Sequence, residues 1–398
     1  MVSYAHSATG TRYVLGIDIG GQSIKPELYE VKDGKVTEKK EEWQPETETK
    51  TKLGVVAHAG QIADIIAEAN KKAQALGGKL VAVGIGSPGR FREDGTIKPG
   101  TNTNMGLTLD EFDEKNLKDK YKGELKAINP DLESLPLTVG NDGNAMLAGM
   151  VQDIVNSPRT GDSRAVLKDQ YENKINPSTL LGQQVAKRVA LFGIGTGLGH
   201  AIVDVDGKGG MHPITDGHAS KLRVPVDEKD WPMVEKAIAL MNEEGKKPEV
   251  LAFPDHTVRA EDLMRDPVLK KLAGVDNAKD IDWAHNPEHE KVVQFAGKYM
   301  GRLIALIKSG QSDDVETRNG WSLTEKEDAA KTEYYLIGGG VGGKPLGAEM
   351  IRYAQEVLVD KKISDVKMVQ YTRENPAARA AAMTVPAEHL SVGHDGRV

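Results

Sequence analysis

Two aspartates stand where predicted β-strands end among glycines. Asp18 lies in "VLGIDIGGQSIK", and Asp142 lies in "VGNDGNAMLAG", just ahead of a predicted helix. A carboxylate beside a glycine turn would repel phosphates unless Mg²⁺ bridged them, and Mg²⁺ prefers one or two carboxylates together with phosphate oxygens. The residue type of Asp142 fits two roles equally well, the N-cap of the helix and a general base in a cleft.

Three glycine-rich turns follow predicted strands. The first, second and third glycine turns are residues 18–21 (DIGG), 195–199 (GTGLG) and 338–343 (GGGVGG). Backbone N–H groups approach a polyphosphate closely where side chains are absent, and a helix beginning after the third turn would add positive charge. One such turn alone would be interpreted as merely tight, because glycine marks turns freely. Three together, two of them with the same strand–turn–strand layout, favour phosphate binding.

Two standard phosphate motifs can be excluded. Residues 338–344 fit the first seven positions of G-x-x-x-x-G-K-[ST], but Pro345 stands where the Mg²⁺-coordinating hydroxyl is needed. Residues 84–89 fit G-x-G-x-x-G, but the sequence "RFREDGTIKPG" that follows them cannot be the required helix. A dinucleotide-binding fold is therefore not expected.

Strand–turn–strand and strand–turn–helix units must position these groups. Apolar residues at helical spacing predict helices over 54–78, 289–310 and 348–358, and the run 79–89 predicts a buried strand. The polar stretch 155–187 predicts an insertion or excursion from the fold. The alternation predicts an α/β protein with mixed β-sheets flanked by helices, in which two related halves face a cleft.

The composition narrows the function classes. The chain has 398 residues, a net charge of −7, a pI near 5.9 and no cysteine. The lack of cysteine excludes disulfides, thiolate catalysis and cysteine-ligated metals, and it fits a reducing cytosol. The acidic balance, the lack of a long apolar run and the polar N-terminus "MVSYAHSATGTR" argue against nucleic-acid partners, membrane partners and a signal peptide. We expect a cytoplasmic protein.

Six motifs, in order and at approximate spacing, resemble the ROK sugar kinases of the actin-like ATPase superfamily. They are "VLGIDIGGQSIK", "VGIGSPGRF", "VGNDGNAMLAG", "FGIGTGLGHAIV", "DGHAS" and "YLIGGGVGG", and the resemblance spans roughly 12–224 and 289–385. It implies two actin-like (ribonuclease H-like) lobes, residues 1–145 and 146–398, with the last helix packing back on the first lobe. It also implies a homodimer that uses ATP and Mg²⁺ to phosphorylate a hexose or N-acetylhexosamine.

The resemblance also implies roles for individual residues. Asp142 would be the base that takes the proton of the sugar hydroxyl, and Asp18 would position Mg²⁺ and the phosphates. The sugar would be bound by Gly89, Asn104, Asn141, Asp142, Asp216, His218 and Glu249. The phosphates and adenosine would be bound by Asp18, Gly20, Gly21, Gln22, Ser23, Lys25, Gly195, Thr196, Gly197, Gly338, Gly339 and Gly340.

Some positions depart from the family pattern. Gln22 stands where Thr is usual, so the phosphate-contacting hydroxyl would be lost or moved to Ser23. The pattern Glu-x-Gly-His becomes residues 215–218, TDGH, and Asp216 replaces the glutamate one position late. The zinc motif that often follows His218 cannot exist without cysteine, so no zinc site is expected. The match of Glu249 is loose.

Five residues fit either a role at the site or a structural role. His285 and His289 have i,i+4 spacing, but Pro287 between them favours a solvated helix start over a metal site. His200 could contact a phosphate or simply belong to a strand. Arg90 could reach the substrate or lie on the surface, and Lys25 could instead face solvent or cap a strand.

Three functions compete. The first is a sugar kinase, with glucose as the leading substrate over N-acetylmannosamine, N-acetylglucosamine, mannose and fructose, and with polyphosphate as an alternative donor because 195–201 (GTGLGHA) fits G-T-G-x-G-x-A. The second is a sugar-responsive repressor, which would need a helix-turn-helix ahead of Tyr13, where only 12 residues stand. The third is a non-sugar ATPase or regulator, which would keep the glycine turns but need no base at Asp142.

Overall fold

The computed structural model describes most of the chain and divides it into two units. The described residues are 10–20, 23–41, 47–48, 55–87, 117–160, 167–169, 187–205, 211–215, 219–242, 250, 252–310, 323–372, 376–383, 385 and 387–390. One compact unit comprises Met1–Ala145 together with Ala377–Val398, and the other comprises Met146–Pro376.

The first unit contains a six-stranded mixed sheet. Its strands are β1 (Thr11–Ile19), β2 (Ser23–Lys32), β3 (Lys35–Glu41), β4 (Thr47–Glu48), β5 (Gly78–Ser87) and β6 (Leu137–Asn141). The order is β3-β2-β1-β5-β6, with β4 paired to β2. Strands β1, β5 and β6 are parallel, and β2 and β3 are antiparallel to their neighbours.

Helices cover both faces of this sheet because side chains alternate along its strands. Leu15 and Ile17 of β1 join a core with α1 (Val55–Ala75) and α2 (Leu117–Ile128). Val14 faces the other way, toward α10 (Pro376–Met383) and α11 (Ala387–Leu390) at the end of the chain.

The second unit repeats this sheet topology. Its strands are β7 (Leu167–Asp169), β8 (Lys187–Ile194), β9 (Leu198–Val205), β10 (Met211–Thr215), β13 (Tyr334–Gly338) and β14 (Lys367–Tyr371), and a separate hairpin consists of β11 (Arg223–Pro225) and β12 (Thr257–Arg259). The order β10-β9-β8-β13-β14 matches β3-β2-β1-β5-β6 in strand direction as well as in sequence. The two predicted strand–glycine–strand hairpins occupy equivalent places in the two sheets.

The remaining helices pack around the second sheet. They are α3 (Asp142–Thr160), α4 (Trp231–Met241), α5 (Asp266–Ala273), α6 (Pro287–Lys308), α7 (Leu323–Ala330), α8 (Gly339–Gly342) and α9 (Pro345–Asp360). One face of the sheet joins a core with α6 and α9, and the other packs on Leu147, Met150 and Val151 of α3. The predicted α/β class with mixed sheets is confirmed. The three predicted helices are also confirmed, as α1, α6 and α9.

The prediction that residues 155–187 form an insertion or an excursion from the fold is partly wrong. Helix α3 continues to Thr160, and Leu167–Asp169 forms strand β7, which pairs antiparallel with β14 at the edge of the second sheet. A three-residue polar edge strand has no periodicity that a sequence reading could detect. Within the described parts of the chain, no helix is long and apolar enough to cross a membrane.

Candidate functional site

The two acidic candidates, Asp18 and Asp142, lie at the carboxyl end of the first sheet. The parallel registers pair Asp18 with Gly86 and Gly86 with Gly140, so these residues form one row across β1, β5 and β6. Because neighbouring strands lie about 4.8 Å apart, the Cα atoms of Asp18 and Gly140 are separated by about 10 Å. Asp142 follows two residues after Gly140. The predicted phosphate acid and the predicted base therefore lie at the same edge of one sheet.

Asn141 and Asp142 make different hydrogen bonds at the start of α3. Asn141 Oδ1 accepts a hydrogen bond of 2.9 Å from the N–H of Asn144, which is the N-cap interaction. Asp142 Oδ1 accepts from the Gly143 N–H at 2.8 Å and from Asn141 Nδ2 at 3.2 Å. Neither bond ends on Oδ2. The cap that the sequence assigned equally well to Asp142 is thus supplied by its neighbour.

Asp142 is half-buried, and this burial favours the protonated form of its carboxyl group. Burial raises its pKa above the ordinary value of 3.8, and hydrogen bonds from backbone N–H groups oppose that rise only in part. A carboxylate with a raised pKa is a stronger base than an exposed aspartate, as general-base chemistry near neutral pH requires.

Gly86 lets the helix that carries Asp142 approach the sheet. A Cβ atom at Gly86 would lie 3.2 Å from Ala145 Cβ and 3.7 Å from Asp142 Cα. The first of these separations is tighter than ordinary van der Waals contact, so a larger residue at Gly86 would push the first turn of α3 away. Gly86 was not predicted as a site residue, although it lies in the excluded G-x-G-x-x-G match.

The first glycine turn pairs an acid with a base. Asp18 and Lys25 are directly opposite each other on the antiparallel strands β1 and β2, and both are half-buried. Opposite charges in that arrangement attract and fix the hairpin. The Gly20 N–H donates to Ser23 O at 2.8 Å, which closes the turn. The register therefore places the Lys25 and Asp18 side chains on the same face of the sheet.

The second and third glycine turns lie side by side in the second unit. Gly193 of β8 is in register with Gly338 of β13, so both strands end at the same edge. Gly339 has a φ of +90°, and a Cβ there would lie 2.6 Å from Ile194 O. A Cβ on Gly195 would lie 3.8 Å from the Gly340 N–H nitrogen. Two of the three predicted phosphate turns thus meet.

Each of these two turns has an exposed residue at its tip. Thr196 and Gly340 are exposed, whereas the strands that lead to them are buried. Gln370 of β14 is buried and fixes the third turn, because its Nε2 donates to Gly342 O at 3.0 Å and to Lys344 O at 2.6 Å. An anion could therefore approach a preformed backbone surface.

A buried ion network supports the second turn and was not predicted. Glu261 accepts from Lys221 Nζ at 2.9 Å, and a Cβ on Gly197 would lie 3.8 Å from Glu261 Oε2. The Asp266 N–H donates to Gly195 O at 2.7 Å. Lys221 and Glu261 are 40 residues apart, and only the place of Lys221 after "DGHAS" could have drawn attention to it.

Several candidates fall outside the described residues. They are Gly21, Gln22, Gly89, Arg90, Asn104, Asp216, His218 and Glu249. The predicted sugar-binding set is represented among the described residues by Asn141 and Asp142.

The remaining histidines have structural surroundings. His200 is a buried residue of β9 that packs on the Phe192 ring, with centroids 5.4 Å apart. His289 accepts from the Asp282 N–H at 2.9 Å and lies 3.0 Å from Ala273 O, beside the helix start capped by Asn286. His285 lies 2.9 Å from Asp282 Oδ1. The predicted role of the pair at a helix start is confirmed.

The residues present fit a magnesium ion held mainly by substrate phosphates. Within the described residues, no group of three or more His, Asp or Glu side chains is arranged to hold a metal. One carboxylate, Asp18, lies beside a backbone turn, and Mg²⁺ in phosphoryl-transfer enzymes typically takes one or two carboxylates plus phosphate oxygens and water.

Comparison with known proteins identifies the fold. The glucokinase of Balamuthia mandrillaris in complex with glucose matches with a TM-score of 0.57 and 16% identity over 96% of this chain and 95% of its own. The glucokinase of Leishmania braziliensis matches with a TM-score of 0.56 and 13% identity over 96% and 94%. A ROK-family transcriptional regulator, a homologue of the E. coli MLC protein, matches with a TM-score of 0.53 and 16% identity over 95% and 79%.

At these identities the likeness establishes the fold that kinases and a regulator share. No protein-family profile and no curated protein sequence matches the chain. These structural neighbours confirm an α/β fold with mixed sheets flanked by helices, which is the coarser part of what the resemblance to ROK sugar kinases implies.

Proposed function

We propose that the chain is a ROK-type sugar kinase that transfers the γ-phosphate of ATP to a hexose hydroxyl, with the 6-hydroxyl of glucose as the leading acceptor. The observation that carries the proposal is the Asp142 carboxyl group, which lies at the carboxyl edge of the sheet with a raised pKa and with the capping role taken by Asn141. The glucokinases that share the fold support the substrate class.

Asp142 acts as the general base. Its Oδ1 is fixed by Gly143 and Asn141, so Oδ2 can accept the proton of the sugar hydroxyl. The hydroxyl oxygen then forms a bond to the γ-phosphorus, while the bond from that phosphorus to the β,γ-bridging oxygen breaks and ADP leaves with the electron pair. The proton remains on Asp142 until the product departs.

The glycine turns hold the donor. Gly20, Gly195 and Thr196 line the phosphates, where the missing side chains of the two glycines let the phosphate oxygens approach the backbone. Gly339 and Gly340 pack against adenosine. Gly21, Gln22, Ser23, Lys25, Gly197 and Gly338 complete this donor set. Mg²⁺, when bound with ATP beside Asp18, neutralises phosphate charge.

The acceptor is bound by Asn141 together with Gly89, Asn104, Asp216, His218 and Glu249. Asp216 is shorter by one methylene than the glutamate usual in the family, which leaves open the hydroxyl pattern that it recognises. N-acetylmannosamine and N-acetylglucosamine are the alternative acceptors, and polyphosphate is the alternative donor. We further infer a cytoplasmic homodimer, whose mass in solution can be checked by light scattering.

A sugar-sensing regulator is the second candidate because a ROK-family transcriptional regulator shares the fold. A regulator would bind sugar without turnover and would not depend on the charge of Asp142.

A coupled assay tests both candidates. Hexoses and N-acetylhexosamines are screened against MgATP and against polyphosphate, and sugar binding is measured separately by calorimetry. Phosphorylation of at least one sugar supports the kinase. Sugar binding with no turnover under any donor supports the regulator and contradicts the kinase.

A further inference from the structure

The ion network behind the second glycine turn is built from five charged side chains. Lys221 Nζ lies 2.9 Å from Glu261 Oε1, and Arg259 Nε lies 3.1 Å from the same oxygen. Asp262 holds Arg259 through two hydrogen bonds of 2.8 Å and lies 3.4 Å from Arg265 Nε. The side chains of Lys221 and Glu261 are each only 10% exposed.

The segment from Glu261 to Asp266, which carries most of the network, touches the second turn at two points. Glu261 Oε2, the oxygen that does not bind Lys221, faces Gly197, where a Cβ would lie 3.8 Å away. On the other side of Thr196, the backbone N–H of Asp266 binds Gly195 O at 2.7 Å. The segment from Glu261 to Asp266 therefore sets the place of the turn.

A carboxylate in that position presents an electrostatic problem. The turn offers backbone N–H groups to an anion, but an uncompensated Glu261 charge against Gly197 would repel a phosphate. Burial acts to raise the pKa of Glu261, but the charges of Lys221 and Arg259 outweigh it and hold the pKa below its ordinary value, so the group is ionised. The compensating cation is thus required while the carboxylate stays charged.

Stability alone does not explain the pair. A buried ion pair often contributes no more than apolar residues of the same volume, because desolvation offsets the attraction. Removal of one partner, in contrast, leaves an uncompensated charge.

We infer that Lys221 is a positioning residue for the phosphate donor, which acts by neutralising Glu261 behind the second glycine turn. The inference rests on the proposed function. It makes donor binding more sensitive to Lys221 than acceptor binding, because the contacts of the network's segment with the turn are on Gly195 and Gly197, whereas the proposed base is the first residue of α3.

A double-mutant cycle tests this assignment with MgATP as the donor and the best sugar as the acceptor. Lys221→Met leaves Glu261 less compensated, and we expect the KM for MgATP to rise about tenfold, which is about 1.4 kcal/mol, while the sugar KM stays within twofold. Lys221→Met combined with Glu261→Gln removes both charges, and we expect the MgATP KM to return to within threefold of the parent. A merely structural role would change the sugar KM and kcat together with the MgATP KM, and not the MgATP KM alone.

Asp255→Asn is the matched control. Asp255 pairs with Arg223 close to β11 and β12, but its side chain is 56% exposed, so all kinetic constants should stay unchanged. Circular dichroism establishes folding first. If Lys221→Met does not fold, Glu261→Gln alone decides the matter, because the neutral amide should bind MgATP at least as well as the parent.

The outcomes separate the two proposals. No turnover by the parent protein contradicts the proposed function. Turnover by the parent with an unchanged MgATP KM in Lys221→Met, or a further loss in the double variant, overturns the role of Lys221 and leaves the kinase standing.

Discussion

Asn141 Nδ2 lies 3.2 Å from Asp142 Oδ1, and Asn141, not Asp142, caps helix α3. An amide that caps the helix and also donates to the neighbouring carboxylate fixes one carboxylate oxygen, and the proposed base function would use the other. The same arrangement keeps the negative charge of Asp142 in the first turn of a helix, where the helix dipole favours it. Burial nevertheless keeps its pKa raised. Because Asn141 supplies the cap, a substitution can remove the charge of Asp142 without loss of the cap.

Asp142→Asn is therefore expected to slow catalysis strongly and to stabilise the fold at neutral pH. The amide oxygen still accepts from Gly143, but the variant has no base, so kcat should fall by about 10² to 10⁴ while nucleotide binding persists. Because the folded pKa of Asp142 is raised, its ionised form costs stability at neutral pH, and this cost is absent below the unfolded pKa. Thermal unfolding at pH 7.5 should shift upward by a few degrees, and this gain should shrink toward pH 3.

The control for that variant is Asp64→Asn on α1, where the side chain is exposed. It should change neither kcat nor the unfolding temperature. Retained phosphorylation in Asp142→Asn would reject the assignment of the base.

The pH profile should show the raised pKa directly. The base must be ionised, so kcat/KM for the sugar should fall tenfold per pH unit below the pKa of Asp142 in the free enzyme. Because burial raises that pKa, the midpoint of the acid limb should lie above 3.8. Rates are measured only where fluorescence shows the protein folded. An acid limb at or below pH 3.8 would be incompatible with the buried environment of the carboxyl group.

Features encoded by neighbouring residues could be predicted from the sequence. The glycine turns after β1, β8 and β13 were found because a buried apolar run and the glycines after it are contiguous. The likeness of the two halves followed from their strand–glycine–strand hairpins, and the sheet topologies repeat it.

Features that depend on packing between distant segments could not be predicted. Lys221 and Glu261 are 40 residues apart, and neither has a pattern around it that specifies a partner. The division of roles between Asn141 and Asp142 depends on side-chain orientation, which residue type leaves open. The contact of Gly86 with α3 depends on how closely a helix approaches a strand, and composition does not encode that distance.

Gly84→Ala should be strongly destabilising, because the first unit depends on the return of the chain end. A Cβ at Gly84 would lie 1.6 Å from Ala381 O of α10, so the helix would have to move off the sheet. Overpacking of this kind costs about 1–3 kcal/mol. Gly140→Ala on β6 is the matched control, since a Cβ there meets nothing within 4 Å. In urea unfolding, Gly84→Ala should have a lower midpoint than the parent, and Gly140→Ala should have nearly the same midpoint as the parent. Equal midpoints for the two variants would show that α10 does not lie on Gly84.

His58 should make the fold sensitive to mild acid. Its ring is fully buried on α1, with Nε2 3.0 Å from the Tyr121 hydroxyl, and burial lowers its pKa from 6.5 to about 4. Below pH 6.5 the unfolded chain binds a proton at His58, whereas the buried ring of the folded chain stays neutral down to about pH 4. The contribution of His58 to the free energy of unfolding is therefore complete above pH 6.5 and is lost as the pH falls toward 4. At about 1.4 kcal/mol per pH unit, this loss amounts to about 3 kcal/mol.

His58→Phe isolates the contribution of that histidine, since the phenyl ring keeps the packing on Tyr121 and cannot be protonated. We expect the variant to be less stable than the parent at pH 7.5 by about 1 kcal/mol, the value of one hydrogen bond, but to lose less stability between pH 6.5 and 4. His285→Gln serves as the control, because the His285 side chain is 84% exposed, and it should follow the parent at every pH. Denaturant unfolding at five pH values measures the three slopes, and parallel curves for the parent and His58→Phe would show that His58 is protonated in the folded protein as readily as in the unfolded chain.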